Sequence, residues 1–258
     1  MTLDLQLLAQ TVDQAALEGQ PIPMLTGEHP SLDIETAYTV QRLSMDRRYD
    51  RGETLIGMKM GLTSKAKMEQ MGVHDPIYGH LTTSMTVADG GAFQLTGCCH
   101  PRVEPELAFT LAHDLSGTVD RGEALAAIAR VHPAMEIIDS RFTDFKFTLI
   151  DVVADNTSAC GYVLGPGRSP EGLDLAALEL SLNVGGREQL TGSSSAIYGH
   201  PLDSLRQLCA MLARRGEGLK SGQTVLAGAA TAAVYLEAGD HVDLSIPGLG
   251  PVQFTVEA

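Results

Sequence analysis

The stretch that decides the fold reading is HPRVEPELAF, residues 100–109. Val103, Leu107, Ala108 and Phe109 are the composition of a strand, and the two-residue period of a strand puts Glu104 and Glu106 on one face. Two like charges that close resist joint ionisation unless a cation lies between them. A second apolar run, Met135-Glu136-Ile137-Ile138, carries a third acid into a strand, and burying that acid unpaired is costly. By spacing alone two readings stand: a solvated sheet edge, or three oxygen donors for Mg²⁺ or Mn²⁺ with positions left for substrate.

Upstream, Leu55-Ile56-Gly57-Met58-Lys59-Met60-Gly61 is a short apolar strand interrupted by Lys59. Gly57 and Gly61 share its face, which lets a ligand approach the backbone. The alternatives for Lys59 are proton transfer at a site or a packed stem with its head in water. Thr63-Ser64 follows as a cap for a helix from Lys65 to Met71. Apolar residues at helical spacing predict helices over 3–19 and 33–48, separated by the proline-bearing GQPIPML. Strands are expected at 84–88, 103–110, 133–139, 161–164, 178–184, 224–227, 232–236 and 242–246, with Val184-Gly185-Gly186-Arg187 as a hairpin turn. One late helix is expected from Ser204 to Arg215. Helices first and strands later give an α+β chain with a mixed sheet, not an alternating βαβ sheet.

Val152-Val153-Ala154-Asp155-Asn156-Thr157-Ser158 is a polar turn after an apolar run, able either to donate to a carboxylate or merely to cap the turn. Cys98, Cys99, Cys160 and Cys209 include no CxxC pair, and they read as reduced, buried thiols. GPG at 165–167 and the region of Gly228 match no phosphate loop, and GxSxG is absent. With 32 Asp plus Glu against 18 Lys plus Arg, the charge of −14 disfavours nucleic acid and anionic membranes as partners. The amino terminus has acids where a signal peptide has bases, and no segment has the roughly 18 apolar residues of a membrane span. A cytoplasmic location is expected.

GMKMGLTS (57–64), HPRVEPELAF, MEIIDSRF (135–142), VVADNTSA (152–159) and Tyr198-Gly199-His200-Pro201 together, and in this order, resemble the hydratase and decarboxylase branch of the fumarylacetoacetate hydrolase superfamily. The resemblance implies a mixed β-sandwich roll with an N-terminal helical cap: residues 1–80 as the cap region with the first strand, residues 81–258 as the catalytic core. It implies Mg²⁺ or Mn²⁺ on Glu104, Glu106 and Glu136, Lys59 as catalytic residue, and substrate contacts from Thr63, Ser64, Asp155, Asn156, Ser158 and Thr231. Phe145-Lys146-Phe147, Lys65-Ala66-Lys67-Met68 and Ile77-Tyr78-Gly79 look more like a decarboxylase of a 2-oxo dicarboxylic acid than like a 2-oxopent-4-enoate hydratase. On charge alone, Arg141 or Lys146 is the expected attractor of the leaving carboxylate. Hydratase activity and a noncatalytic partner subunit are the alternatives, and the branch further implies a homo-oligomer and a complex with a hydratase. The loop Ala227-Gly228-Ala229-Ala230-Thr231-Ala232 departs from the branch in having alanines where glycine or serine is expected.

Overall fold

The computed structural model describes residues 3–64, 68–69 and 75–258. The chain opens with helices α1 (Leu5–Glu18), α2 (Leu25–Glu28) and α3 (Ile34–Asp50). Asp4 and Asp33 cap the two longer ones by accepting the amides of Leu7 and Thr36. The buried carboxylate of Asp13 on α1 clasps Arg47 on α3 and Arg51 just beyond it, pinning the two helices together. The helix expected from Lys65 to Met71 falls largely outside the described residues.

The strands follow: β1 (Leu55–Gly61), β2 (Ile77–Thr82), β3 (Thr86–Val87), β4 (Ala92–Gln94), β5 (Arg102–Leu111), β6 (Ile128–Ile138), β7 (Ala159–Leu164), β8 (Glu179–Val184), β9 (Glu188–Ser193), β10 (Thr224–Ala229), β11 (Val234–Tyr235), β12 (His241–Ile246) and β13 (Gly250–Glu257). Among them lie α4 (Arg121–Ala126), α5 (Leu149–Ala154) and α6 (Pro201–Ala213). A large mixed sheet runs β2-β1-β10-β5-β6-β7-β3, with β11 also paired to β5, and a second sheet runs β4-β13-β12-β8-β9. β12 and β13 alternate buried and exposed residues, so Val242, Leu244, Val252 and Phe254 of the second sheet form one side of the core. The α+β roll with a helical cap is the architecture expected. β1 is itself part of the large sheet, parallel to β10.

β5 is buried on both faces and flanked by β10 and β6, which removes the solvated-edge reading of its acid pair. The hairpin between β8 and β9 turns at Gly185 (φ +58°) and Gly186 (φ +68°), the paired left-handed conformation that a two-residue hairpin needs. Helix α6 starts at Pro201 and not at Ser204: His200 accepts the amide of Leu202, while the Ser204 hydroxyl is spent on the carbonyl of Ala227. The expected strand at 84–88 shrinks to β3 behind a 3₁₀ turn, and that at 232–236 shrinks to β11. β2 went unread because all six of its residues are buried, leaving no alternation to detect.

The segment between α5 and β7 has three consecutive left-handed residues, Asn156, Thr157 and Ser158, at φ +48°, +53° and +57°. Each such non-glycine residue costs about 1 kcal/mol or more. Bonds to β2 hold them there: Asn156 exchanges two hydrogen bonds with the backbone of His80, and the Thr157 hydroxyl donates to the carbonyl of Tyr78. The approach is so close that a Cβ on Gly79 would lie 2.5 Å from the Asn156 carbonyl oxygen.

Burial pushes the His80 imidazole down to about 4, against a weaker opposing pull from Asn156. The native state therefore refuses a proton that the unfolded chain accepts below its ordinary 6.5. Stability contributed by neutral His80 is complete above that value and is lost as pH falls toward 4. Urea unfolding at pH 7 and pH 5 is expected to show His80→Gln losing about 2 kcal/mol less than the parent over that interval.

Candidate active site

Antiparallel pairing of β5 with β6 sets Glu104 opposite Glu136 and Glu106 opposite Ala134. On its other side Glu106 faces Ala229 of β10, just past an irregularity between Leu226 and Ala229. That irregularity points the amide of Gly228 at Glu106, whose Oε2 accepts it at 2.8 Å. Gly228 has φ +117°, and a Cβ there would fall 2.2 Å from the Thr63 hydroxyl, so only glycine permits the bond.

Lys59 stands on β1, three strands from β6; in a flat sheet that is about 14 Å. Even so, its Nζ lies 3.0 Å from Oε1 of Glu136 and donates to the carbonyl of Thr157 at 3.0 Å. Only strong curling of the large sheet brings these side chains together on the inner face. Lys59 is 2% exposed, Glu104 7%, and Glu106 and Glu136 are fully buried.

The three carboxylates offer oxygens that all lie within 4.8 Å of one another. Burial, then the charge of Glu136, drives the Glu106 carboxyl well above the usual range despite Lys59 and the Gly228 amide. Burial raises Glu136 to about 7, with Lys59 pulling it back. Oε1 of Glu106 and Oε2 of Glu136 have no hydrogen-bond donor among the described residues. The orphaned lone pairs lie on the two fully buried acids, Glu106 and Glu136, and hard oxygen donors left in that state suit a divalent cation such as Mg²⁺. Beside them opens a cavity of about 300 Å³ walled by Lys59, Glu104, Arg102, Phe145, Phe147 and Ser158, among others.

The other residues singled out in the sequence divide. Ser158 lines this cavity with a buried hydroxyl that has no partner among the described residues. Thr63 packs behind Glu106 against Gly228, and Ser64 is half-buried, its carbonyl accepting the amide of Met68. Asp155 is wholly buried against Arg141 and does not reach the cavity; Asn156 is spent on His80. Thr231 turns its methyl toward Gly192, while its neighbours Ala232 and Ala233 line the cavity. Neither basic residue expected at the leaving carboxylate is there: Arg141 is locked by Asp155 and by carbonyls of Asp139 and Ala159, and Lys146 is exposed beside Asp144. Cys98 and Cys160 meet at Asp139, whose carboxylate also accepts the amides of Cys99 and His100.

Arg102 is the cation in the cavity wall that sequence reasoning overlooked. Its guanidinium lies 3.7 Å from the ring centre of Phe145 and 4.0 Å from that of Tyr235. The signal was in plain view, since Arg102 continues the alternation of Glu104 and Glu106 on the same strand.

The profile of the fumarylacetoacetate hydrolase C-terminal domain matches residues 58–257. The chain belongs to the fumarylacetoacetate hydrolase family. Within that family it is 46% identical over 248 residues to a 4-oxalocrotonate decarboxylase of a Pseudomonas species, covering 96% of each chain. It is 38% identical to a 2-hydroxyhexa-2,4-dienoate hydratase of Comamonas testosteroni, covering 95% of this chain and 96% of the hydratase. The solved structure of 4-oxalocrotonate decarboxylase from Pseudomonas putida G7, complexed with magnesium and adipate, superposes with a TM-score of 0.96 at 38% identity over 99% of both chains.

The two buried acid arrangements should behave oppositely. In excess chelator at neutral pH, Glu106→Gln is expected to unfold in urea no more easily than the parent, because burial and Glu136 already disfavour the ionised carboxylate that the neutral amide replaces. Asp155→Asn should cost about 3–5 kcal/mol, because it strands the Arg141 guanidinium.

Proposed function

We propose that this fumarylacetoacetate hydrolase family member is a divalent-cation-dependent carboxy-lyase that converts 4-oxalocrotonate (2-oxo-3-hexenedioate) to 2-oxopent-4-enoate and CO₂ in the meta-cleavage degradation of aromatic compounds. The observation that carries the reading is the buried carboxylate triad, with orphaned oxygens on Glu106 and Glu136, next to a cavity lined by Glu104 and Lys59. The near full-length similarity to 4-oxalocrotonate decarboxylases adds the substrate.

Glu104, Glu106 and Glu136 would hold Mg²⁺ or Mn²⁺, which supplies a Lewis acid for the carboxylate and 2-oxo oxygens of the substrate. In the reaction the C5–C6 bond breaks and C6 leaves as CO₂. Its electron pair forms C4=C5, the former C3=C4 pair forms C2=C3, and the 2-oxo oxygen takes the charge, giving a dienolate. Protonation at C3 then yields 2-oxopent-4-enoate. Lys59 is ion-paired with Glu136 and donates to the carbonyl of Thr157, and a remaining N–H is assigned to the 2-oxo acid end, where it orients the substrate and delivers to C3 a proton that water then replaces on the amine. The Ser158 hydroxyl is assigned to the same end of the substrate.

The hydratase relative keeps a second reading in play, since adding water to 2-hydroxypenta-2,4-dienoate uses the same kind of dienolate. Self-association and a complex with a hydratase belong to the same proposal, because the product is what a hydratase takes up. The purified protein should release CO₂ from 2-oxo-3-hexenedioate with Mg²⁺ and lose that activity in chelator. Lys59→Ala should slow turnover by about 10²–10⁴-fold. Faster water addition to the dienoate than CO₂ release would favour the hydratase, and chelator-resistant decarboxylation would defeat the assignment of the triad.

A further inference from the structure

Arg102 occupies the part of the cavity that the reaction so far leaves unassigned. Apart from Lys59 it is the one cation among the described residues of the cavity wall, and no carboxylate of those residues pairs with it, in a chain of net charge −14. Its guanidinium is stacked between Phe145 and Tyr235, so both faces of the plane are covered and only its N–H edge is free to bind. The Tyr235 hydroxyl, carried on β11 directly opposite Arg102 in register, accepts from Nη2. Nε is buried and has no hydrogen-bond partner among the described residues. Phe145 itself is presented by a backbone with left-handed Asp144 and Phe145, at φ +59° and +57°.

A planar guanidinium held by its faces, with a buried donor unspent, is a receptor for a carboxylate. Its surroundings fit that part: among the described residues, Phe147, Ile138, Ala232 and Ala233 add apolar wall and no competing charge. Arg102 precedes Glu104 by two residues on the same face of β5, about 6.6 Å of strand, comparable to an extended six-carbon chain.

We propose that Arg102 recognises the distal carboxylate and selects a 2-oxo dicarboxylate over a 2-oxo monocarboxylate of the same length. The inference rests on the decarboxylase reading above and names the residue that reads the second charge. An ion pair to a carboxylate about to leave as neutral CO₂ holds the ground state more tightly than the transition state. Arg102 thus lowers KM for the dicarboxylate without raising kcat.

The test compares 2-oxoadipate with 2-oxohexanoate, which share the 2-oxo acid end, differ at C6 and lack the alkene. Calorimetric binding to the Mg²⁺-loaded protein should favour 2-oxoadipate by at least about 10-fold. Arg102→Gln should weaken 2-oxoadipate by about 10–100-fold while leaving 2-oxohexanoate within about 3-fold. With 2-oxo-3-hexenedioate the same variant should raise KM and leave kcat unchanged or higher. Equal weakening of both ligands, no weakening of either, or a loss confined to kcat overturns the proposal. Should Arg102→Gln fail to fold, Tyr235→Phe removes only the hydroxyl that holds the guanidinium; it should cut the preference about 3–10-fold, and an unchanged preference is contrary. The binding comparison reads out even when no CO₂ is released, so failure of the decarboxylase reading and failure of Arg102 are told apart.

Discussion

Three carboxylates clustered on the inner face of a curled sheet, one of them ion-paired with Lys59, set the terms for the rest of the molecule. Like charges buried this closely repel and are poorly solvated, and removing them would make the core more comfortable. Their persistence requires that the sheet hold them in place. β5 supplies Glu104 and Glu106 from between two neighbours, β6 supplies Glu136 in register, and β1 reaches across with Lys59 because the sheet curls.

The remaining irregularities of the fold serve that arrangement. The break in pairing on β10 frees the Gly228 amide for Glu106, with Thr63 filling the space a side chain would need. The left-handed turn at Asn156, Thr157 and Ser158 gives Lys59 its carbonyl acceptor, and Gly79 lets β2 come close enough to brace that turn. Behind the turn, the buried Arg141–Asp155 pair fastens the residue just before it to the segment that follows β6. Asp155 and Asn156 thus position backbone, while Thr157 and Ser158 meet the cavity.

Much of this was legible in the sequence because it sits on regular strands. Two-residue alternation puts Glu104 and Glu106 together whatever the tertiary context, and the apolar run around Glu136 marks a buried strand. What alternation cannot show is curvature, so the meeting of Lys59 with Glu136 across three strands had no local signature. Charge alone pointed to Arg141 and Lys146 as receptors for the leaving group, but a buried arginine with an aspartate partner is already satisfied, and Lys146, although between two phenylalanines of the cavity wall, is itself exposed beside Asp144. Arg102 was hidden by its neighbours, since the acids after it draw the eye and its aromatic partners Phe145 and Tyr235 lie far off in the chain. His200 and Ser204 show the same limit at a helix start: both can cap, and only tertiary bonds decide which does.

The central claim is that the buried acids are a cation site, not a strained structural cluster. Titration of the metal-free protein with Mn²⁺, followed by the electron paramagnetic resonance of the free ion, tests it most directly. One bound ion per chain in the parent, its loss in Glu106→Gln with the circular dichroism unchanged, and its displacement by Mg²⁺ are the predicted results. Binding that survives Glu106→Gln and Glu136→Gln alike, or no binding by the parent, would contradict the account.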